Sequence, residues 1–329
     1  MKVGKVPENV LKRSVMKQLH FTRDEVVLGP GIGEDCAAIA LEPDEILVMS
    51  TDPITGTTKD IGKLAIQITA NDLASSGAEP IGVMLTILLP DGTREIALKR
   101  IMEQMEEACG DAHIQIMGGH TEVTKVVNQP VVSVTGVAKA KKGQLVTTAG
   151  AKPGMDIVLT KWIGIEGTTI LAKEREAELK EYFPPAFVDV AISFEQYVSV
   201  VPEAAVATKS GVSAMHDVTE GGIYGALWEM AERAGVGLEV DLKKIPVKQE
   251  TVEICEFFDV NPYNLYSAGA LLAGSWQPEV LVSKLHEQGI PAAVIGYVTD
   301  KNDRIIRNGE DVRFLDRPQQ EEWYRKFGG

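Results

Sequence analysis

Acidic and amide side chains recur at the ends of short apolar or small-residue runs. Glu34 and Asp35 follow Gly31-Ile32-Gly33, Asp52 follows Ser50-Thr51, Asn71-Asp72 stand together, Glu122 closes Gly118-Gly119-His120-Thr121, and Asp217 precedes Val218-Thr219-Glu220-Gly221-Gly222. Carboxylates in such places serve no core. Hard oxygen ligands gathered without matching lysines are what Mg²⁺ and a polyphosphate require, because the metal takes its charge balance from the carboxylates and shares its other positions with water and phosphate oxygens. The pattern points to a Mg-ATP enzyme.

Each segment has its own chemistry and its own local alternative. Gly29, Gly31 and Gly33 let the backbone turn tightly and approach a phosphate, with Glu34 and Asp35 facing the same space. Their spacing is neither a Rossmann fingerprint nor a Walker A loop, since no Gly-Lys-Ser/Thr follows. Alone, the segment also fits a turn with solvated acids. Asp52 follows apolar residues 46–49 and is expected at a strand terminus, where α/β folds place ligand groups, with Pro53 ending the ladder. A turn-initiating Asp before proline is the alternative there. Asn71-Asp72 interrupts residues 64–78, an apolar stretch that otherwise reads as a buried helix. A buried carboxylate costs on the order of several kcal/mol unless something pairs with it. No lysine or arginine lies within a helical turn, so a metal is a natural partner, and a helix break or N-cap is the alternative. His120 is expected at the end of its strand. A neutral imidazole is a poorer Mg²⁺ ligand than a carboxylate, so His120 reads as a donor to a phosphate or base, or as a structural histidine. Gly221 and Gly222 let amides at a helix N-terminus face an anion while Asp217 supplies a carboxylate, and an N-cap by Thr219 is compatible with that role.

The elements that must hold these groups alternate in type. Residues 46–49 and 81–89 read as buried strands, whereas Leu98, Ile101, Met102, Met105 and Ala108 repeat at helical spacing. Residues 114–117 and 131–138 add strands, and a loop rich in Thr and Gly over 144–152 precedes a new apolar run. A domain boundary near Ala149 gives an N-terminal domain over 1–149 and a C-terminal one over 150–329. In the second, Ile223, Leu227, Met230, Ala231 and Ala234 mark a helix, and 268–273 and 292–298 read as strands. The class is α/β or α+β. At 329 residues and 44% hydrophobic the chain can build two cores, and a net charge of −14 argues against nucleic-acid or anionic-membrane partners. Three widely spaced cysteines, Cys36, Cys109 and Cys255, suit reduced thiols in a cytosol. With no apolar signal core and no run of about 20 apolar residues, a soluble, cytoplasmic protein is expected.

The order and spacing of the five segments, with Ala149-Gly150-Ala151-Lys152-Pro153-Gly154-Met155-Asp156 between the halves, resemble the AIR synthase superfamily, whose branches include HypE, thiamine-monophosphate kinase, selenophosphate synthetase and formylglycinamidine synthase. The match runs from about Gly4 to about Gly274, and Gly4-Lys5-Val6-Pro7, Ser50-Thr51-Asp52-Pro53-Ile54-Thr55-Gly56 and Asn71-Asp72-Leu73-Ala74 look most like the HypE-related branch. The resemblance implies a two-domain PurM-like fold, with an N-terminal domain that builds a β-barrel across a homodimer and a C-terminal α/β domain. It implies ATP and Mg²⁺ as cofactors. The metal would rest on Glu34, Asp35, Asp52, Asp72 and Asp217, and the nucleotide on Gly31, Gly33, Thr51, Asn71, Gly118, Gly119, Thr121, Gly221 and Gly222, with Asp52, Asp72, His120 and Asp217 catalytic. This sequence departs from the family at Glu34, where relatives commonly carry Asp, at His120, where the HypE and kinase branches carry Asp, and at Glu220, where HypE proteins typically carry Arg. HypE proteins carry their substrate on a C-terminal cysteine, and here no cysteine follows Cys255. The expected activity is ATP-dependent phosphorylation of an amide, carboxylate or phosphate oxygen on a small-molecule or protein-borne acceptor, with hydrogenase or metal-cofactor maturation as the setting and a maturation protein as partner. The alternatives are a small-molecule kinase like thiamine-monophosphate kinase and a non-catalytic nucleotide-binding scaffold.

Overall fold

The computed structural model describes residues 1–31, 36–55, 59–318 and 326. The expected ligands Gly33, Glu34 and Asp35 lie outside the described residues. The chain divides into two units, Met1–Leu73 with Ala78–Leu145, and Ala74–Gly77 with Val146 onward.

The first unit contains β1 (Gly4–Lys5), α1 (Glu8–Ser14), β2 (Val26–Leu28), β3 (Ala38–Ile39), β4 (Glu45–Ile54), α2 (Ile61–Ser75), β5 (Glu79–Pro90), α3 (Glu95–Asp111), β6 (Gln115–Thr124) and β7 (Val131–Lys141). Five strands form one sheet in the order β1-β6-β5-β7-β4. β5 and β6 run parallel, as a strand–helix–strand crossover through α3 demands, and β7 pairs antiparallel with both β5 and β4. One face packs on α2, where Leu73 meets Ala138, Ala140, Ile46 and Val48. On the other, Val26 and Ile39 pack against Ile81, Met117 and Val137.

Three sequence readings change here. The ladder runs through Pro53, which sits opposite Ser133, and continues to Ile54 opposite Val132. β4 is an edge strand, and at an edge a residue without an N–H leaves no interior partner unsatisfied. The Gly118–Glu122 segment also does not end its strand, because β6 continues to Thr124 and pairs there with Pro90. Nor do Asn71 and Asp72 break their helix, which extends to Ser75.

The second unit contains β8 (Asp156–Thr160), α4 (Ile165–Glu174), α5 (Glu176–Tyr182), α6 (Pro185–Ser193), α7 (Val201–Lys209), β9 (Ala214–Val218), α8 (Gly222–Ala234), β10 (Gly237–Asp241), α9 (Gln249–Phe258), β11 (Ala270–Ser275), α10 (Pro278–Glu287), β12 (Ala292–Thr299), β13 (Arg304–Asn308) and β14 (Asp311–Phe314). Its sheet has the order β14-β13-β10-β12-β8-β11-β9. Alternation along β8 and β11 supplies two cores. Ile157, Leu159, Ala270 and Leu272 pack with Ile223, Leu227 and Met230 of α8. Val158 and Leu271 pack on the opposite face with Ala204 of α7 and Leu281 and Leu285 of α10. The β8 and β11 runs are therefore apolar on both sides, which is why they read as continuous apolar segments. Among the described residues no helix is long and apolar enough to cross a membrane.

Candidate functional site

In the first unit, strand period and helix packing bring Asp52 and Asp72 to one hydroxyl. Asp52 and Ser50 are two residues apart on β4 and share a face, and Ser50 Oγ donates to Asp72 Oδ2 on α2 at 2.6 Å while lying 3.5 Å from Asp52 Oδ2. Thr51 points the other way and meets Thr135 across the ladder, Oγ1 to Oγ1 at 2.9 Å. Thr51 and Asp52, expected to act together, thus project to opposite faces of the sheet. Asn71 is fully buried within α2.

A cavity of about 840 Å³ gathers a second group of expected residues: Gly31, Gly118, Gly119, His120 and Thr121 all line it, with Thr86 and Thr135 adding hydroxyls and Leu11, Val15, Met84 and Met117 apolar wall. Neither Asp52 nor Asp72 lines it. Gly119 is required as glycine, since its φ is +147° and a Cβ would lie 2.8 Å from the Leu85 backbone N and C. His120 Nε2 lies 3.2 Å from Glu122 Oε2. A carboxylate only accepts, so Nε2 carries the proton of that bond and Nδ1 becomes a donor only when the ring holds its second proton.

In the second unit, Asp217 is buried on β9, and Gly221 and Gly222 open α8 at φ +75° and +61°. A Cβ on Gly222 would lie 2.5 Å from Tyr263 O, so α8 starts against the 263–265 backbone. Tyr224 stacks on Tyr263 at 5.2 Å, and Arg313 of β14 donates to the Tyr224 hydroxyl. Burial pushes the Tyr224 phenol up to about 12, with Arg313 pulling the other way. His216 Nε2 lies 2.9 Å from Glu229 Oε2. Lys161, at the end of β8, forms a buried ion pair with Glu203 and donates to Tyr197 O at 2.7 Å and Ser199 O at 2.6 Å. Burial lowers the Lys161 ammonium and raises the Glu203 carboxyl, each working against the attraction between them.

The first unit's residues fit a hard divalent cation in part. Asp52 and Asp72 supply two carboxylates beside one hydroxyl, and Mg²⁺ completes such a set with water and phosphate oxygens. Among the described residues, no cluster of three or more His, Cys, Asp or Glu could hold a metal alone.

Residues 33–140 match the family described as AIR synthase related protein, N-terminal domain, and residues 152–307 match its C-terminal domain. The carbamoyl dehydratase HypE of Cupriavidus necator is 30% identical over 289 residues, 84% of this chain and 79% of that protein. The chain belongs to the AIR synthase-related family. Its place is in the HypE-like branch. A putative hydrogenase expression/formation protein of Methanocaldococcus jannaschii is 27% identical over 315 residues, 92% of this chain and 90% of that one. A crystal structure of the hydrogenase maturation protein HypE in complex with ATP superposes with a TM-score of 0.81 over 97% of this chain and 96% of that one, at 21% identity, which shows the shared two-domain PurM-like fold.

The structure adds residues that sequence reasoning left unassigned. Ser50 stood inside a quoted segment, and period two along a strand places it with Asp52. Thr135 carries no local signal, because only the β4–β7 register sets it opposite Thr51. Arg313 joins the start of α8 through a tertiary contact with no counterpart in sequence spacing.

Proposed function

We propose that this AIR synthase-related chain is a Mg-ATP-dependent enzyme that transfers the γ-phosphoryl group to an amide, carboxylate or phosphate oxygen of a small-molecule or protein-borne acceptor. The observation that carries this function is the convergence of Asp52 and Asp72 on Ser50, two carboxylates from different elements beside one hydroxyl. Asp52 and Asp72 would hold the cation, with Glu34 and Asp35 of the same unit as further ligands. Bound Mg²⁺ would neutralise charge on the phosphate oxygens, and phosphoryl transfer needs such neutralisation and positioning more than covalent help. The backbone at Gly118 and Gly119 would approach the nucleotide closely and Thr121 would offer a hydroxyl, with His120 beside Glu122 at the cavity wall. Gly221 and Gly222 would present amides at the start of α8 to an anion. A role in hydrogenase or metal-cofactor maturation is supported by the names borne by the relatives, and a homodimer and a maturation-protein partner belong to the same proposal.

The test is ADP release against a panel of acceptors that includes a protein-borne thiocarboxamide and thiamine monophosphate, with and without Mg²⁺. One acceptor should accelerate ADP formation, and Asp52→Asn and Asp72→Asn should abolish the acceleration while leaving urea midpoints near wild type. Unaltered turnover in both variants would refute the assignment of these carboxylates.

A further inference from the structure

We infer that Ser50 is a positioning residue that sets the Asp72 carboxylate for cation binding, a role that rests on the proposed Mg-ATP function. The β4–β7 register pairs Ser50 with Gly136. A Cβ at Gly136 would collide with Thr69 Cγ2 and lie 2.7 Å from Leu73 Cδ1, so side chains of α2 pack directly over this glycine. Asp72 precedes Leu73 on the same helix. The close approach is what brings its Oδ2 to 2.6 Å from Ser50 Oγ, a short bond from hydroxyl to carboxylate.

The serine has one proton for two carboxylates. At 2.6 Å the hydroxyl donates its hydrogen bond to Asp72, and at 3.5 Å Asp52 receives little of it. The bond restrains the Asp72 carboxylate and partly offsets its charge, while the same hydroxyl gives little to Asp52. A ligand held in place before binding needs no ordering when the ion arrives, and two carboxylates on one side of a sheet repel each other less with a hydroxyl hydrogen bond between them. Thr51 cannot substitute, since its hydroxyl is on the other face with Thr135.

The experiment measures the Mg²⁺ concentration that half-saturates binding of a nonhydrolysable ATP analogue, by titration calorimetry on the full chain. Ser50→Ala should raise that concentration about tenfold, the worth of one hydrogen bond to a charged group. Ser50→Thr should stay near wild type and Ser50→Val, its isostere without the hydroxyl, should behave like Ser50→Ala, so the hydroxyl is isolated even if the alanine variant is poorly folded. Equal Mg²⁺ requirements in the threonine and valine variants would overturn the role of Ser50. Mg²⁺-independent binding in the wild type would instead overturn the metal assignment beneath it, and the two failures are separate results.

Discussion

Gly118 and Gly119 look interchangeable in sequence, and the fold makes them unequal. At Gly119 an added Cβ meets backbone, namely Leu85 N and C at 2.8 Å and the Leu85 carbonyl oxygen, on the strand paired with it. Backbone in a ladder cannot rotate aside. An L-residue at φ +147° adds local strain of about 1–3 kcal/mol, and displacing β5 from β6 brings Gly119→Ala to about 3 kcal/mol or more of lost stability. At Gly118 the Cβ meets only Met84 Cε at 3.1 Å and Sδ at 3.2 Å, the end of a flexible side chain, so Gly118→Ala should cost less than about 1 kcal/mol. Urea denaturation, with the slope checked for two-state behaviour, measures both. Equal losses for the two variants, or a Gly119→Ala protein as stable as wild type, would refute the close approach of β6 to Leu85 and the cavity wall built on it.

Lys161→Met should destabilise the second unit by about 3–5 kcal/mol, because it leaves the buried Glu203 carboxylate without its cation. Burial then holds the folded Glu203 pKa above its unfolded value of about 4.3, so the folded state binds the extra proton, and the deficit should be small below that value and grow as pH rises through the folded pKa. Urea midpoints at pH 5 and pH 8 test the sign, a pH-independent deficit would contradict it, and adding Glu203→Leu should recover most of the loss. A homodimer is expected from the outward side of β4, where Leu47 and Met49 are 45% and 58% exposed. Light scattering should give twice 35.6 kDa for wild type and 35.6 kDa for Leu47→Glu/Met49→Glu, and a wild-type monomer at micromolar concentration would count against it.

Periodicity in the sequence marks the elements, and the structure decides where they end. Leu98 to Ala108 at helical spacing falls inside α3, and the apolar run at 81–89 inside β5. Pro53 and the Gly118-Gly119 pair looked like strand ends because proline and glycine punctuate local structure, yet an edge position and a close ladder contact respectively carry the strands through them. Asp52 and Asp72 were legible as carboxylates out of place, whereas their meeting at Ser50 depends on how near Gly136 lets α2 come. The Lys161–Glu203 pair was illegible, since its partners are 42 positions apart and neither stands in a motif.

The most direct test of the central claim is titration calorimetry of a nonhydrolysable ATP analogue with and without millimolar Mg²⁺. Binding should require the cation and should weaken in Asp52→Asn and Asp72→Asn variants whose urea midpoints are unchanged. Absence of binding at millimolar analogue and Mg²⁺, or binding that both variants retain in full, would contradict it.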